Sequence, residues 1–134
     1  MINLLFSFAE KFQFTSNSTF LSVTTYSFDI CYLELFLPLI YGGKLIIVPR
    51  EITSDGYRLA EAISYHRPSH MQGTPSTWQL LLDAEWENKE GIKMLIGGEA
   101  VKEEIKDALT NKGLVWNVYG PTETTIWSAI KELT

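Results

Sequence analysis

The sequence has a single cysteine, Cys31, and few basic residues, and both shortages limit what the protein can be. One thiol cannot close an internal disulfide, which favours a reducing, cytoplasmic setting. Eleven lysines and arginines stand against 16 aspartates and glutamates, for a net charge of −5. Because a nucleic-acid interface needs a basic surface to neutralise phosphates, we expect no nucleic-acid partner.

The sequence also lacks an apolar run long enough to cross a membrane. Its most apolar stretch, residues 28–48, is interrupted by Asp29, Glu34, Pro38 and a Gly-Gly pair. A signal peptide needs basic residues ahead of its apolar segment, and the amino-terminal MINLLFSFAEKF has none there. We therefore expect no membrane interaction, and the 46% hydrophobic and 20% charged content indicates a globular protein.

What the sequence does contain is a regular alternation of helical and strand patterns. Helices are predicted at 3–12, 33–40, 101–112, after Ser54 or Asp55 and after Thr74-Pro75. Apolar strands are predicted at 20–25, 44–49, 69–73, 92–97, 114–120 and 124–130. This order predicts an α/β protein with a partly parallel sheet flanked by helices.

Three loops follow apolar strands and contain groups that can bind a ligand: SFD (27–29), GGEA (97–100) and YGPTE (119–123). In open α/β sheets, ligands bind beyond the carboxyl ends of the strands. Each loop alone also has a simpler structural interpretation. Asp29 can be a helix N-cap, Glu99 can lie at a positive helix N-terminus, and GPTE can be a turn with capping-box character.

Taken together, the three loops resemble the adenylate-forming enzymes. The stretches 24–49, MLIGGEAV (94–101) and NVYGPTETT (117–125) are similar to three core stretches of that family, in the same order. The chain is most similar to the adenylation domain of non-ribosomal peptide synthetases. The resemblance implies an internal fragment, residues 1–134 without an internal boundary, of the large N-terminal subdomain of an adenylate-forming enzyme.

The resemblance also implies an activity. Enzymes of this family activate a carboxylate with ATP and Mg²⁺, release pyrophosphate, and pass the acyl group to a thiol. In peptide synthetases that thiol is the phosphopantetheine of a peptidyl carrier domain, which works beside condensation domains of the same assembly line. Thr122 would contact the α-phosphate, and Glu123 would hold Mg²⁺. The implied adenine site comprises Gly98, Glu99, Ala100, Asn117, Tyr119 and Gly120.

The implied substrate is an amino acid, because the Asp of the family's FD motif, here Asp29, pairs with an α-ammonium group. The pocket would be formed by Asp29, Ile30, Leu33, Gln72, Leu95, Gly97, Val118, Ile126 and Trp127. This set resembles the pattern that the family associates with glycine, and bulky residues such as Trp127 would fill the space of a side chain. Val118 stands where a leucine is expected, which makes alanine the second candidate.

Several parts of the family's catalytic apparatus have no counterpart in the sequence. No Gly/Ser/Thr-rich phosphate loop occurs, nor a ribose-binding Asp, a hinge or a catalytic Lys after the YGPTE element. We therefore expect the isolated chain to be inactive. Two alternatives stay open: a segment of another acyl-adenylate ligase such as an acyl-CoA synthetase, and a non-catalytic nucleotide-binding α/β module. Asp29 argues against the first, and Glu123 against the second.

Overall fold

The computed structural model describes residues 2–23, 31–97, 100–119 and 129–134, with only the backbone at 2–5, 31–33, 119, 129 and 130. Six helices and six strands are described. The helices are α1 Ile2–Phe12, α2 Cys31–Tyr41, α3 Arg50–Thr53, α4 Gly56–His66, α5 Pro75–Asp83 and α6 Glu103–Thr110. The strands are β1 Thr19–Ser22, β2 Lys44–Ile47, β3 His70–Gly73, β4 Lys93–Gly97, β5 Val115–Tyr119 and β6 Ala129–Leu133.

The six strands form one sheet in the order β2-β1-β3-β4-β5-β6. The first four pairings are parallel, and β6 pairs antiparallel with β5. This confirms the predicted α/β class with a partly parallel sheet. The last strand continues to Leu133, beyond the predicted 124–130, of which residues 124–128 lie outside the described part of the chain.

Helices cover both faces of the sheet. On one face, α4, α5 and α6 contribute Leu59, Ile63, Trp78, Leu81, Ile105 and Leu109 to a core with Met71, Met94, Ile96 and Val115 of the strands. On the other face, α1 and α2 contribute Phe8, Phe12 and Leu37 to a core with Phe20, Leu95, Trp116 and Val118. Adjacent strand residues point to opposite faces, so β1, β4 and β5 each supply both cores.

Two helices begin where the sequence predicts. The Asp55 carboxylate accepts hydrogen bonds from the backbone N–H groups of Tyr57 and Arg58, at 3.0 and 3.4 Å, and caps α4. Asp55, rather than Ser54, is therefore the capping residue. Thr74 caps α5 by accepting from Thr77 N at 3.3 Å, and Pro75 occupies the first turn, where its missing N–H costs nothing.

The buried side of α2 differs from the predicted one. The spacing of Leu33, Phe36, Leu37 and Ile40 predicts a single apolar face, and Leu37 is indeed buried. Phe36 and Ile40 are exposed, however, and the helix buries Glu34 and Pro38 beside Leu37. The prediction is wrong for Phe36 and Ile40 because hydrogen bonds to Glu34 turn a polar residue toward the sheet.

Candidate functional site

Four parallel strands end at one edge of the sheet. The strands β1, β3, β4 and β5 lie side by side in the same direction, so their carboxyl ends, at Ser22, Gly73, Gly97 and Tyr119, are neighbours. The three loops singled out in the sequence begin near the ends of β1, β4 and β5. This is the edge at which open α/β sheets bind ligands.

Four of the predicted pocket residues lie together on one face of this edge. Gln72 pairs in register with Leu95, and Gly97 pairs with Val118. Leu95 and Gly97 are two residues apart in β4 and therefore share a face. All four are buried. The structure thus brings Gln72, Leu95, Gly97 and Val118 into one cluster, which we call the strand-end cluster.

Two residues predicted to bind adenine lie apart from the strand-end cluster. Asn117 is half-buried and pairs in register with Ile96, so it lies on the opposite face of the sheet from its neighbour Val118. Ala100 is exposed, just after the end of β4. Asn117 therefore lies on the opposite face of the sheet from the four pocket residues of the strand-end cluster.

The remaining predicted site residues are described in part or not at all. Leu33 lies in α2 and Tyr119 ends β5, with only their backbones described. Nine others lie outside the described residues: Asp29, Ile30, Gly98, Glu99, Gly120, Thr122, Glu123, Ile126 and Trp127.

A buried carboxylate lies beside the strand-end cluster. Glu34 of α2 is fully buried, and its Oε2 accepts a hydrogen bond from the Ser22 hydroxyl at 2.7 Å. Its Oε1 accepts from Nε2 of Gln72 at 3.5 Å, which is a long contact. Ser22 is the last residue of β1 and is also buried. Glu34 therefore links helix α2 to the ends of β1 and β3.

Comparison with known proteins identifies the family. A family model described as AMP-binding enzyme matches residues 1–134. The chain belongs to the AMP-binding enzyme family. It is 41% identical, over 95% of its length, to a dimodular nonribosomal peptide synthase of Bacillus subtilis strain 168. It is 33% identical, over 90% of its length, to one of the linear gramicidin synthase subunits of Brevibacillus parabrevis. It spans only 5% and 2% of the lengths of these two relatives.

Two solved structures share the fold of this chain. A four-domain nonribosomal peptide synthetase, crystallised with AMP and glycine, superposes with a TM-score of 0.95 at 44% identity. The match covers 99% of this chain and 10% of that one. An adenylation domain from Vibrio cholerae, in complex with glycyl-adenosine-5′-phosphate, has a TM-score of 0.86 at 20% identity, over 98% of this chain and 26% of that one. At 20% identity, this similarity is evidence for a shared fold alone.

In this member of the AMP-binding enzyme family, Trp78 supports β4 from the face of the sheet opposite the strand-end cluster. Its indole Nε1 donates a hydrogen bond to the backbone oxygen of Leu95 at 3.0 Å. Gly73, at the end of β3, packs so closely on α5 that an added Cβ would lie 3.2 Å from both Thr77 Cβ and Trp78 Nε1. The β3–α5 turn therefore holds the strand ends in a fixed position.

His70 lies at the opposite end of β3 and has a structural role. Its Nε2 donates to the backbone oxygen of Phe12 at 2.7 Å, since a carbonyl can only accept, and Nδ1 lies 2.8 Å from the Ser69 hydroxyl. Burial lowers the pKa of His70 from 6.5 to about 4; the bond to Phe12 opposes this shift and the charge of Lys93 adds to it. His70 is thus neutral at pH 7, packed between Phe14 and Phe20.

The described residues also bear on other types of site. Among them, no group of three or more His, Cys, Asp or Glu side chains is placed to hold a metal ion. None of the described helices combines the length and apolar character of a membrane span. Glu123, the residue expected to hold Mg²⁺, lies outside the part of the chain that the structure describes.

Proposed function

We propose that this chain is an internal segment of a non-ribosomal peptide synthetase adenylation domain, which activates glycine with ATP. The observation that carries the proposal is the strand-end cluster. Gln72, Leu95, Gly97 and Val118 converge at the edge where such sheets bind ligands. Support comes from the 44% identity to a synthetase crystallised with AMP and glycine.

The proposed reaction has two steps. A carboxylate oxygen of the amino acid attacks the α-phosphorus of ATP, an acyl–phosphate bond forms, and the bond to the β-phosphate breaks to release pyrophosphate. The thiol of a carrier-bound phosphopantetheine then attacks the acyl carbon, which gives a thioester and AMP. Mg²⁺ would neutralise charge on the phosphates, held by Glu123, while Thr122 would contact the α-phosphate.

The proposed pocket selects small amino acids by filling space. Leu95 and Val118 are fully buried apolar residues, and Gly97 lies beside Val118. Ile30, Leu33, Ile126 and Trp127 would close the rest of the pocket, and Asp29 would pair with the α-ammonium group. Because one added methyl group must displace well-packed atoms, glycine should be preferred over alanine, with larger residues excluded.

The nucleotide would lie across the sheet edge from the amino acid. Asn117 faces the side opposite Gln72 and Val118, in keeping with a bond to the adenine edge rather than to the amino acid. Tyr119 would stack on the base, and the backbone of Gly98, Glu99, Ala100 and Gly120 would surround it. Peptidyl carrier and condensation domains would be partners in the same assembly line.

The substrate proposal is tested with the full-length protein that contains this chain. Amino-acid-dependent exchange of pyrophosphate into ATP is measured with all twenty amino acids, and we expect the highest rate with glycine and the next with alanine. A preference for any residue larger than alanine would refute the pocket assignment. Exchange that depends on a fatty or aryl acid instead would favour the acyl-CoA synthetase alternative.

Two variants of the same protein test individual roles. Trp127→Ala should shift preference from glycine toward larger amino acids, because it opens the pocket. If it only lowers the glycine rate, Trp127 does not wall the pocket. Glu123→Gln should lower the exchange rate about 100-fold at saturating ATP, because an ionised ligand to Mg²⁺ is lost. An unchanged rate would exclude the metal role.

A further inference from the structure

We propose that Glu34 is a positioning residue for the amino-acid pocket, which fixes the Gln72 side chain and the depth of helix α2 on the sheet. The inference rests on the proposed function, because Gln72 and Leu33 are pocket residues only if the chain activates an amino acid. In the sequence, Glu34 stands out only as an acid that interrupts an apolar stretch. The structure places its carboxylate between two strand ends at the site.

Burying the Glu34 carboxylate costs free energy unless its position is stabilised by hydrogen bonds. A carboxylate removed from water is strongly destabilised unless hydrogen bonds replace its hydration. Glu34 is fully buried, and its two oxygens accept from two different strands, Ser22 of β1 and Gln72 of β3. Both partners donate, which is the arrangement that an acceptor-only carboxylate requires. Both hydrogen bonds therefore depend on the carboxylate lying between the ends of these two strands.

That orientation determines how Gln72 is presented. The two ends of the Gln72 amide differ in chemistry, since the nitrogen donates and the oxygen accepts. With Glu34 accepting, Nε2 of Gln72 must face helix α2. An amide turned by 180° would place two acceptors against each other. Glu34 thereby fixes which end of Gln72 faces the helix and which end faces away from it.

Glu34 also sets the position of α2. The helix carries Leu33, the adjacent residue, and begins two residues after Asp29. The short bond from Ser22 to Glu34 fixes this helix against the end of β1. One carboxylate thus couples the two walls of the proposed pocket, one on α2 and one on β3.

The test is a substrate-discrimination cycle in the full-length protein. The ratio of kcat/KM for glycine to that for alanine is measured in the wild type, Glu34→Gln, Gln72→Met and the double variant. We expect Glu34→Gln to lower the ratio about tenfold, because its amide cannot satisfy both donors, with the KM for ATP unchanged. In the Gln72→Met background, Glu34→Gln should change the ratio less than twofold, on the order of experimental error.

A purely structural role gives a different result. It predicts equal losses for glycine and alanine, or the same effect of Glu34→Gln with and without Gln72, and either outcome overturns the inference. If Glu34→Gln does not fold, Ser22→Ala serves as the second variant. It removes one hydrogen bond to Glu34 and leaves residues 34 and 72 unsubstituted. It should shift the ratio in the same direction by a smaller factor, and an unchanged ratio overturns the inference.

A structural measurement separates this inference from the proposed function. If the wild type activates no amino acid, the proposed function fails. The positioning of Gln72 is then decided by crystal structures of the full-length wild type and Glu34→Gln. A changed Gln72 rotamer or amide orientation in the variant supports the role of Glu34, and an unmoved side chain overturns it.

Discussion

His70 is a buried histidine with no catalytic role in the proposed site, and it links the stability of the fold to pH. Its folded pKa of about 4 lies below the ordinary value of 6.5. The unfolded chain therefore binds more protons between these values, so unfolding free energy is lost as pH falls from 6.5 toward 4, while His70 of the folded chain stays neutral down to about pH 4. The shift corresponds to about 3 kcal/mol of unfolding free energy over that range.

We expect this pH-dependent contribution to the unfolding free energy to appear in urea unfolding curves monitored by tryptophan fluorescence. Between pH 7 and pH 4.5, the wild type should lose more stability than His70→Gln, which has no imidazole to protonate. His66→Gln is the matched control, since His66 is only half-buried, and it should keep the wild-type pH profile. Equal pH profiles of the wild type and His70→Gln would contradict the assignment.

Asn88 ties the loop before β4 to the loop before β5. Its Oδ1 accepts from Ile92 N at 2.7 Å, and its Nδ2 donates to the backbone oxygens of Ile92 and Lys112, at 3.0 and 3.2 Å. Asn88→Asp keeps the size but places a carboxylate oxygen against two carbonyls. We expect a loss of about 1–3 kcal/mol in urea unfolding.

A surface amide provides the control for Asn88. Gln79→Glu changes an exposed side chain that bonds Asp83 on the same helix. The Gln79→Glu variant should lose less than about 0.5 kcal/mol of unfolding free energy. If Asn88→Asp is no more costly than Gln79→Glu, the Asn88 bonds contribute little to stability.

At the scale of elements, the start of α4 packs very closely against the end of α5. An added Cβ on Gly56 would overlap the Leu80 carbonyl oxygen and lie 2.8 Å from the Leu80 carbonyl carbon. Backbone atoms cannot rotate away, so the two helices would have to separate. Gly56→Ala should therefore cost about 1–3 kcal/mol, measured by thermal unfolding, although alanine is the better helix former.

The same helix offers a control for Gly56. Ser64 lies on the exposed side of α4, so Ser64→Ala should be neutral or slightly stabilising. A Gly56→Ala variant as stable as Ser64→Ala would show that α4 and α5 adjust without cost.

Elements with local signals were predictable from the sequence, and those that depend on distant partners were not. The side chains of Thr74, Pro75 and Asp55 mark the helix starts locally, and the parallel direction of the strands follows from the alternating order of helices and strands. The clustering of Gln72, Leu95, Gly97 and Val118 was implied by the family resemblance. Burial of Glu34 depends on Ser22 and Gln72, which are 12 and 38 residues away, and its one signal is an acid within an apolar helix.

At the scale of the whole molecule, the outer side of α2 exposes three large apolar residues in one group. Phe36, Leu39 and Ile40 are 39%, 66% and 42% exposed, and positions three and four apart are neighbours on a helix. Such a surface favours self-association in water. We expect the 134-residue chain, expressed alone, to form soluble aggregates detectable by light scattering.

Charged substitutions on α2 test this expectation. The double variant Leu39→Glu, Ile40→Lys keeps the net charge and should reduce scattering, with little loss of stability because both side chains are exposed. Leu114→Lys, at an exposed apolar residue elsewhere, is the control and should leave scattering unchanged. Equal scattering from both variants would show that α2 does not drive association.

The strand order β2-β1-β3-β4-β5-β6 has a consequence for how the chain folds during its synthesis. Once β1 and β2 have paired, each later strand in the sequence adds to the same edge of the sheet. No pair of strands that has already formed has to separate to insert a new strand. A chain emerging from the ribosome can therefore assemble its sheet in the order of translation. The slowest step should be the joining of β3 to β1, since it brings together Thr19 and Ser69, 50 residues apart, whereas later strands close shorter loops.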